Sequence, residues 1–189
     1  NNAKPRRKRF RRKPNCVVER DKRTLRRHNF ILVWGANILK EMKTNEAGLR
    51  LIKLFEGLCL QPYRCPANIP TIGYGSCYGL DGKRLTMNHR MITPTEADYL
   101  LRREVRHAEV QVARLLKVPV TENQFSALAS FTFNVGGGAF QSSTLKRKLN
   151  RGEIESAAKE FHRWKYAGGR VLPGLVKRRR AECALFLDS

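Results

Sequence analysis

The chain has 189 residues, 41% of them apolar, and carries 38 Lys and Arg against 16 Asp and Glu, a formal charge of +22. That size accommodates one packed domain with an extension, or at most two small domains. A charge so positive points to a polyanionic partner (nucleic acid, anionic lipid, lipopolysaccharide or the bacterial wall) and says little about fold.

The charge is uneven. Residues 1–45 hold 15 Lys and Arg and three acids, Glu19, Asp21 and Glu41. A quarter of the chain therefore carries just over half of the net charge. Residues 1–28 are mostly Arg, Lys, Asn and Pro, and like charges this dense cannot build a core, so the segment is expected to be largely disordered. The longest apolar run, from Phe30 to Leu39, is too short to span a bilayer, which takes about 20 residues. A basic stretch before a short apolar run resembles the start of a signal peptide. Here the basic part is too long and no small-residue cleavage site follows cleanly, so a short helix packing on the main domain is favoured. A compact domain is expected over 42–189, with Met42 able to serve as its complete start and 1–41 as a basic extension.

Helical periodicity begins at 44. Thr44 or Asn45 can cap, Glu46 suits the first turn, and Leu49, Ile52 and Leu54-Phe55 recur at helical spacing until Gly57. Residues 60–88 are rich in Gly, Pro and Tyr, and Asp81-Gly82 is a turn signal. About three short antiparallel strands are expected there. Thr93-Pro94-Thr-Glu96 is a capping box with proline at the first helical position, opening a helix to about Leu116. Another starts at Thr121 and buries Phe125, Leu128, Ala129 and Phe133 before Gly136-Gly-Gly138 stops it. Further helices are expected at 143–150, 153–163 and 174–187, the last ending in the apolar stripe Ala184-Leu-Phe-Leu187. The fold class is α+β and predominantly helical, with a small antiparallel β lobe near its start and a helical C-terminal lobe. The βαβ alternation of a dinucleotide-binding fold is missing, and the triple glycine follows a helix, which argues against a phosphate loop.

The five cysteines are Cys16, Cys59, Cys65, Cys77 and Cys183. The odd number leaves at least one unpaired within the chain. No pair has CxxC spacing and no histidine lies near Cys59 or Cys65, so neither a metal site nor a cofactor is expected.

The stretch Leu51-Ile-Lys-Leu-Phe-Glu-Gly57, followed by Pro70-Thr-Ile-Gly-Tyr-Gly75, resembles the T4-like and lambdoid phage lysozymes. That family places a catalytic Glu, then Asp or Cys nine positions later, then Thr six further on. The pattern falls here on Glu56, Cys65 and Thr71. Residues 124–150 and 168–182 resemble the second lobe of the same family, so the likeness runs over about 43–187 and stops short of the basic N-terminus. The resemblance implies a lysozyme-like fold and a glycoside hydrolase acting on peptidoglycan. The enzyme would be made in the bacterial host cytoplasm and act in the periplasm or cell wall, as a monomer.

The chemistry suits each position. Glycoside cleavage needs a proton delivered to the leaving oxygen, and a carboxylic acid in a partly apolar site can supply it. Glu56, at the end of an apolar helix, is the candidate, although a solvated helix-end glutamate is the commoner arrangement. An ordinary thiol is only a few per cent ionised at neutral pH. Cys65 could act as a thiolate base or help to hold the attacking water, with the Thr71 hydroxyl orienting it. The competing reading makes Cys65 a structural thiol. Cys-type members of the family also resemble redox switches, so Cys16, Cys59 or Cys77 could mask Cys65 in a disulfide; free buried cysteines are the simpler reading. Tyr74, Phe133 and Ser143 are candidates for the sugar-binding cleft, with core (Phe133) and helix cap (Ser143) as alternatives. Trp164 reads as core packing.

The basic stretch Arg6–Lys13 has seven cations in eight residues with Phe10 interleaved. Its candidate roles are binding of residues 4–13 to an anionic outer-membrane or lipopolysaccharide surface, nucleic-acid binding through phosphates, which is less favoured, or membrane activity with the apolar run. A leader without function is the plain alternative. For the whole protein, the alternative to a hydrolase is a lysozyme-like scaffold that binds polyanions or disturbs membranes without significant hydrolysis.

Overall fold

The computed structural model describes residues 41–188. The basic extension, the apolar run at 30–39 and Cys16 lie outside the described residues. Met42 lies within them and is buried in the main core.

Helix α1 spans Glu46–Glu56. Of the two candidate caps it uses Asn45, whose side chain accepts from the Gly48 N–H at 3.0 Å. Thr44 instead donates its backbone N–H to buried Glu109 at 2.7 Å. The helix buries Gly48, Leu49 and Ile52. Gly48 marks where it meets the helix that carries Ser126: a Cβ there would sit 2.7 Å from the Ser126 Cβ and 2.7 Å from the Thr44 Cγ2.

Strands β1 (Cys59–Arg64) and β2 (Pro70–Gly73) form an antiparallel pair in which Tyr63 faces Thr71 and Arg64 faces Pro70. No third strand follows them over residues 74–93. Only two isolated bridges follow, Ile72 with Ser76 and Tyr78 with Arg84. Gly73 and Gly75 adopt φ of 63° and 117°, reversing the chain at once, so one bridge forms and no ladder can extend.

Helix α2 (Pro94–Leu115) starts at the expected capping box, with both reciprocal bonds between Thr93 and Glu96 present. It is the spine of the molecule. Ala97 and Leu100 pack with Ile72, Leu85 and Ile92 of the β lobe. Leu101 and Val105 pack with Leu49 and Ile52 of α1. Val112 belongs to the main helical core. At 1.5 Å per residue, its 22 residues bridge about 33 Å.

Helix α3 (Glu122–Val135) has a second capping box, Thr121 with Gln124, and is buried along most of its length. Gly136, at φ 93°, ends it, but helix α4 (Gly137–Ser142) begins immediately. The triple glycine redirects the chain and does not open a loop. Helices α5 (Thr144–Leu149) and α6 (Ile154–Glu160) follow, then a 3-10 turn over Phe161–Arg163. A two-stranded hairpin, β3 (Tyr166–Ala167) with β4 (Arg170–Val171), lies where the sequence reading places no strand. Gly168 and Gly169, both at positive φ, make its two-residue turn. Helix α7 (Pro173–Leu187) closes the fold. Phe131 lies edge-on to Phe140, Phe161 and Trp164, and Phe161 meets Phe186 of α7 at 5.6 Å. Trp164 thus packs on the core as expected. The architecture is α+β and mostly helical, with a small β lobe joined to a helical lobe through α2.

Candidate active site

Glu56 is the last residue of α1. Gly57, at φ 68°, donates its N–H to the Lys53 carbonyl at 3.0 Å and turns the chain away. The apolar face formed by Leu49 and Ile52 fixes the helix, so Glu56 is held on a rigid end. Its side chain is 22% exposed, and Arg178 Nη1 donates to Oε1 at 2.6 Å. The sequence reading expected a partly apolar surrounding. The structure places a buried guanidinium there, itself 5.7 Å from the Phe55 ring.

Arg178 belongs to a buried charge cluster on α7. Its Nε donates to Glu182 Oε1 at 3.1 Å, and its Nη2 points to the Ser130 carbonyl of α3 at 3.4 Å. Ser130 Oγ donates to the same Glu182 oxygen at 2.8 Å, and Arg179 Nη2 approaches it at 3.2 Å. Arg179 also donates to Asn134 at 2.8 Å and lies 4.9 Å from the Phe131 ring. Arg179 Nε stands 3.0 Å from Glu182 Oε2, an ion pair without the alignment of a hydrogen bond. Burial pushes the Glu182 carboxyl up and the Arg179 guanidinium down to about 10, each opposed by the other's charge.

The hairpin of β1 and β2 brings Cys65 and Thr71 together. Cys65 N–H donates to the Ile69 carbonyl at 3.0 Å, and Asn68 N–H donates to the Cys65 carbonyl at 2.7 Å, closing the tight loop. With Tyr63 opposite Thr71, Cys65 is the diagonal neighbour of Thr71 on the same face. Burial of the thiol disfavours its charge, but the backbone N–H groups of Ile69 and Ala67 and the Thr71 hydroxyl all favour the thiolate. The net effect holds Cys65 below the ordinary thiol value. Thr71 is 3% exposed. Its hydroxyl donates to the Ile69 carbonyl at 2.9 Å and lies 3.9 Å from Cys77 Sγ. Cys59, Cys65, Cys77 and Cys183 are all free thiols.

Tyr74 and Phe133 line one hollow between the lobes, together with Gly75, Ser76, Leu101 and Glu104. The Ser76 hydroxyl donates to Glu104 at 2.8 Å, which fixes the polar wall. Lys53 lies 5.7 Å from the Tyr74 ring. Ser143 sits elsewhere in role: it is 4% exposed, donates to the Phe140 carbonyl at 2.7 Å and accepts from Lys146 N–H at 3.0 Å as the cap of α5. Of its two readings, the structure displays the cap.

Arg178, Glu182, Ser76 and Glu104 were not singled out from sequence. Arg178 and Glu182 stand at i and i+4, the spacing of a helix-surface ion pair. Nothing in that spacing tells a solvated pair from a buried one.

The sequence profile of the phage lysozyme family matches residues 53–182. The chain is 47% identical over 150 residues to the endolysin of Bacillus phage PZA, covering 77% of this chain and 55% of that protein. It is 42% identical over 149 residues to the endolysin of Acyrthosiphon pisum secondary endosymbiont phage 1, covering 77% of this chain and 98% of that one. Its fold is similar to the solved endolysin from Escherichia coli O157:H7 phage FAHEc1, with a TM-score of 0.71 and 38% identity over 78% of this chain and 94% of that one. The chain thus spans just over half the length of the PZA endolysin and nearly all of the other two.

Proposed function

Because the chain belongs to the phage lysozyme family, we propose that it is an endolysin. It hydrolyses the β-1,4 bond between N-acetylmuramic acid and N-acetylglucosamine in peptidoglycan, and so lyses the bacterial cell. Glu56 is the general acid. Arg178 donates to its Oε1 and holds the carboxyl in place. A sugar chain covering the exposed part of Glu56 excludes water from the reacting bond. Cys65 and Thr71 hold and polarise the attacking water, with the thiol kept closer to ionisation than an ordinary cysteine. Tyr74 and Phe133 offer faces for the glycan, while Ser143 shapes the cleft only by capping α5.

The observation that supports this reading most is the pairing of Cys65 with Thr71 on one face of a tight hairpin that follows a rigidly held Glu56. The family match speaks against the polyanion-binding scaffold. Synthesis in the bacterial host cytoplasm and action in the periplasm or wall, as a monomer, follow from the same reading. Residues 4–13 would draw the enzyme to the anionic outer-membrane or lipopolysaccharide surface in preference to nucleic acid. Among the described residues, no helix is long and apolar enough to cross a membrane.

A turbidity assay on permeabilised bacteria tests the proposal. Wild type clears the suspension and Glu56→Gln does not. Equal clearing by both proteins overturns it, since cationic lysis would then suffice.

A further inference from the structure

The buried cluster on α7 holds Arg178, Arg179 and Glu182 and reaches Glu56 on α1. Their side chains are 4%, 0%, 0% and 22% exposed in that order. Glu182 contacts both guanidiniums, and Arg178 alone of the two also contacts Glu56, so Arg178 is the link between the two carboxyl groups. We infer that Glu182 is a positioning residue for Glu56, acting through Arg178. This inference rests on the reading of Glu56 as the general acid.

The geometry carries the argument. Arg178 is engaged on each edge of its guanidinium: Nε with Glu182, Nη1 with Glu56 and Nη2 with the Ser130 carbonyl. The Ser130 contact, at 3.4 Å, is long, so Glu182 sets the inner edge and hence the direction in which Nη1 points. Glu182 is itself pinned, because Ser130 Oγ, Arg178 Nε and Arg179 Nη2 converge on its Oε1. A rigid plane with donors in a fixed fork transmits that orientation, as a flexible ammonium would not. The chain of contacts runs from the α3–α7 packing through Glu182 and Arg178 to the carboxylate, and a misplacement of about 1 Å there costs about 10²-fold in rate.

The merely structural alternative is that Glu182 only neutralises Arg179. Two double variants separate the readings. Arg179→Met with Glu182→Leu replaces the buried pair by apolar side chains of similar size, an exchange that buried ion pairs often tolerate, but takes the acceptor from Arg178 Nε. Arg179→Met with Glu182→Gln removes the same charges and keeps an acceptor oxygen. The measurements are thermal melts and initial hydrolysis rates of purified peptidoglycan over a range of substrate concentration, for both variants and for Glu56→Gln. The expected result is two folded variants with similar KM. In the Leu variant kcat falls about 10²-fold, and in the Gln variant most of that loss is recovered. Equal kcat in folded Leu and Gln variants overturns the inference. If the Leu variant does not fold, Ser130→Ala decides: it loosens Glu182 alone, and kcat falls severalfold at constant KM if the inference is right and is unchanged if it is wrong. Wild-type rates in Glu56→Gln would instead bring down the reading of Glu56 itself, a result separable from either outcome.

Discussion

Arg178 Nη1 and Glu56 Oε1 meet at 2.6 Å across 122 positions of sequence. Helix α7 thereby grips the end of α1. The guanidinium is 4% exposed and the carboxylate 22%, so the contact is screened far less than a surface pair. Replacing Arg178 by Lys keeps the charge and loses the planar fork. We expect about a tenfold loss in the initial rate of peptidoglycan hydrolysis by Arg178→Lys. Arg178→Met, which strands buried carboxylates, should cost about 3 kcal/mol in unfolding free energy by denaturant titration. Wild-type rates for both variants would show that the contact does not bear on catalysis.

Cys65 and Cys183 should titrate in opposite directions. Burial opposes ionisation of Cys65, but the Ile69 and Ala67 N–H groups and the Thr71 hydroxyl outweigh it, whereas burial alone pushes Cys183 up. In peptide-resolved iodoacetamide labelling, Cys65 reaches half-maximal rate at a lower pH than Cys183, and Thr71→Val moves the Cys65 midpoint up. The same lowering has a sign for stability. The thiolate is favoured in the folded chain, so its contribution is present above the unfolded thiol's value and is lost as pH falls through the folded one. A Cys65 midpoint at or above that of Cys183 would contradict the hairpin geometry.

Gly48→Ala tests the packing that aims α1. The added Cβ would lie 2.7 Å from the Ser126 Cβ, an approach that forces the two helices apart. A loss of about 1–3 kcal/mol is expected, seen as a lowered Tm. An unchanged Tm would mean that the helices have room to spare.

The basic stretch should act through charge alone. Replacing its seven cations at Arg6–Lys13 by Gln in the full chain should weaken binding to lipopolysaccharide-containing vesicles and flatten its salt dependence between 20 and 200 mM NaCl, conditions over which the Debye length shortens well below about 30 Å. Hydrolysis of purified peptidoglycan at saturating substrate should stay close to wild type. Unchanged vesicle binding would dismiss the surface role.

Local signals served this chain well where they have local causes. The capping box at Thr93, the helix start at Thr121, the Gly57 terminator and the helix beginning near Pro173 follow from hydrogen bonds within a few residues. The choice of Cys65 and Thr71 came instead from the resemblance to the lysozyme motif, and the short loop that sets the hairpin register brings the two together. Glycine pairs were harder to read. Gly73 and Gly75 cut the expected three strands to two and single bridges, while Gly168-Gly169 built a hairpin that the surrounding charged residues concealed. The partner of Glu56 was illegible for a different reason. Arg178 lies far along the chain, in a run of four cations that reads as a solvated face. Only the packing of α7 on α3 turns Arg178, Arg179 and Glu182 inward.

The central claim is that Glu56 delivers the proton that breaks the glycan, and product analysis of purified peptidoglycan tests it most directly. Digestion by wild type should release soluble fragments with new reducing ends on N-acetylmuramic acid, and Glu56→Gln, folded by its melt, should release them at least about 10²-fold more slowly. Reducing ends formed as fast by Glu56→Gln, or fragments released by wild type with no new reducing N-acetylmuramic acid, would contradict the account.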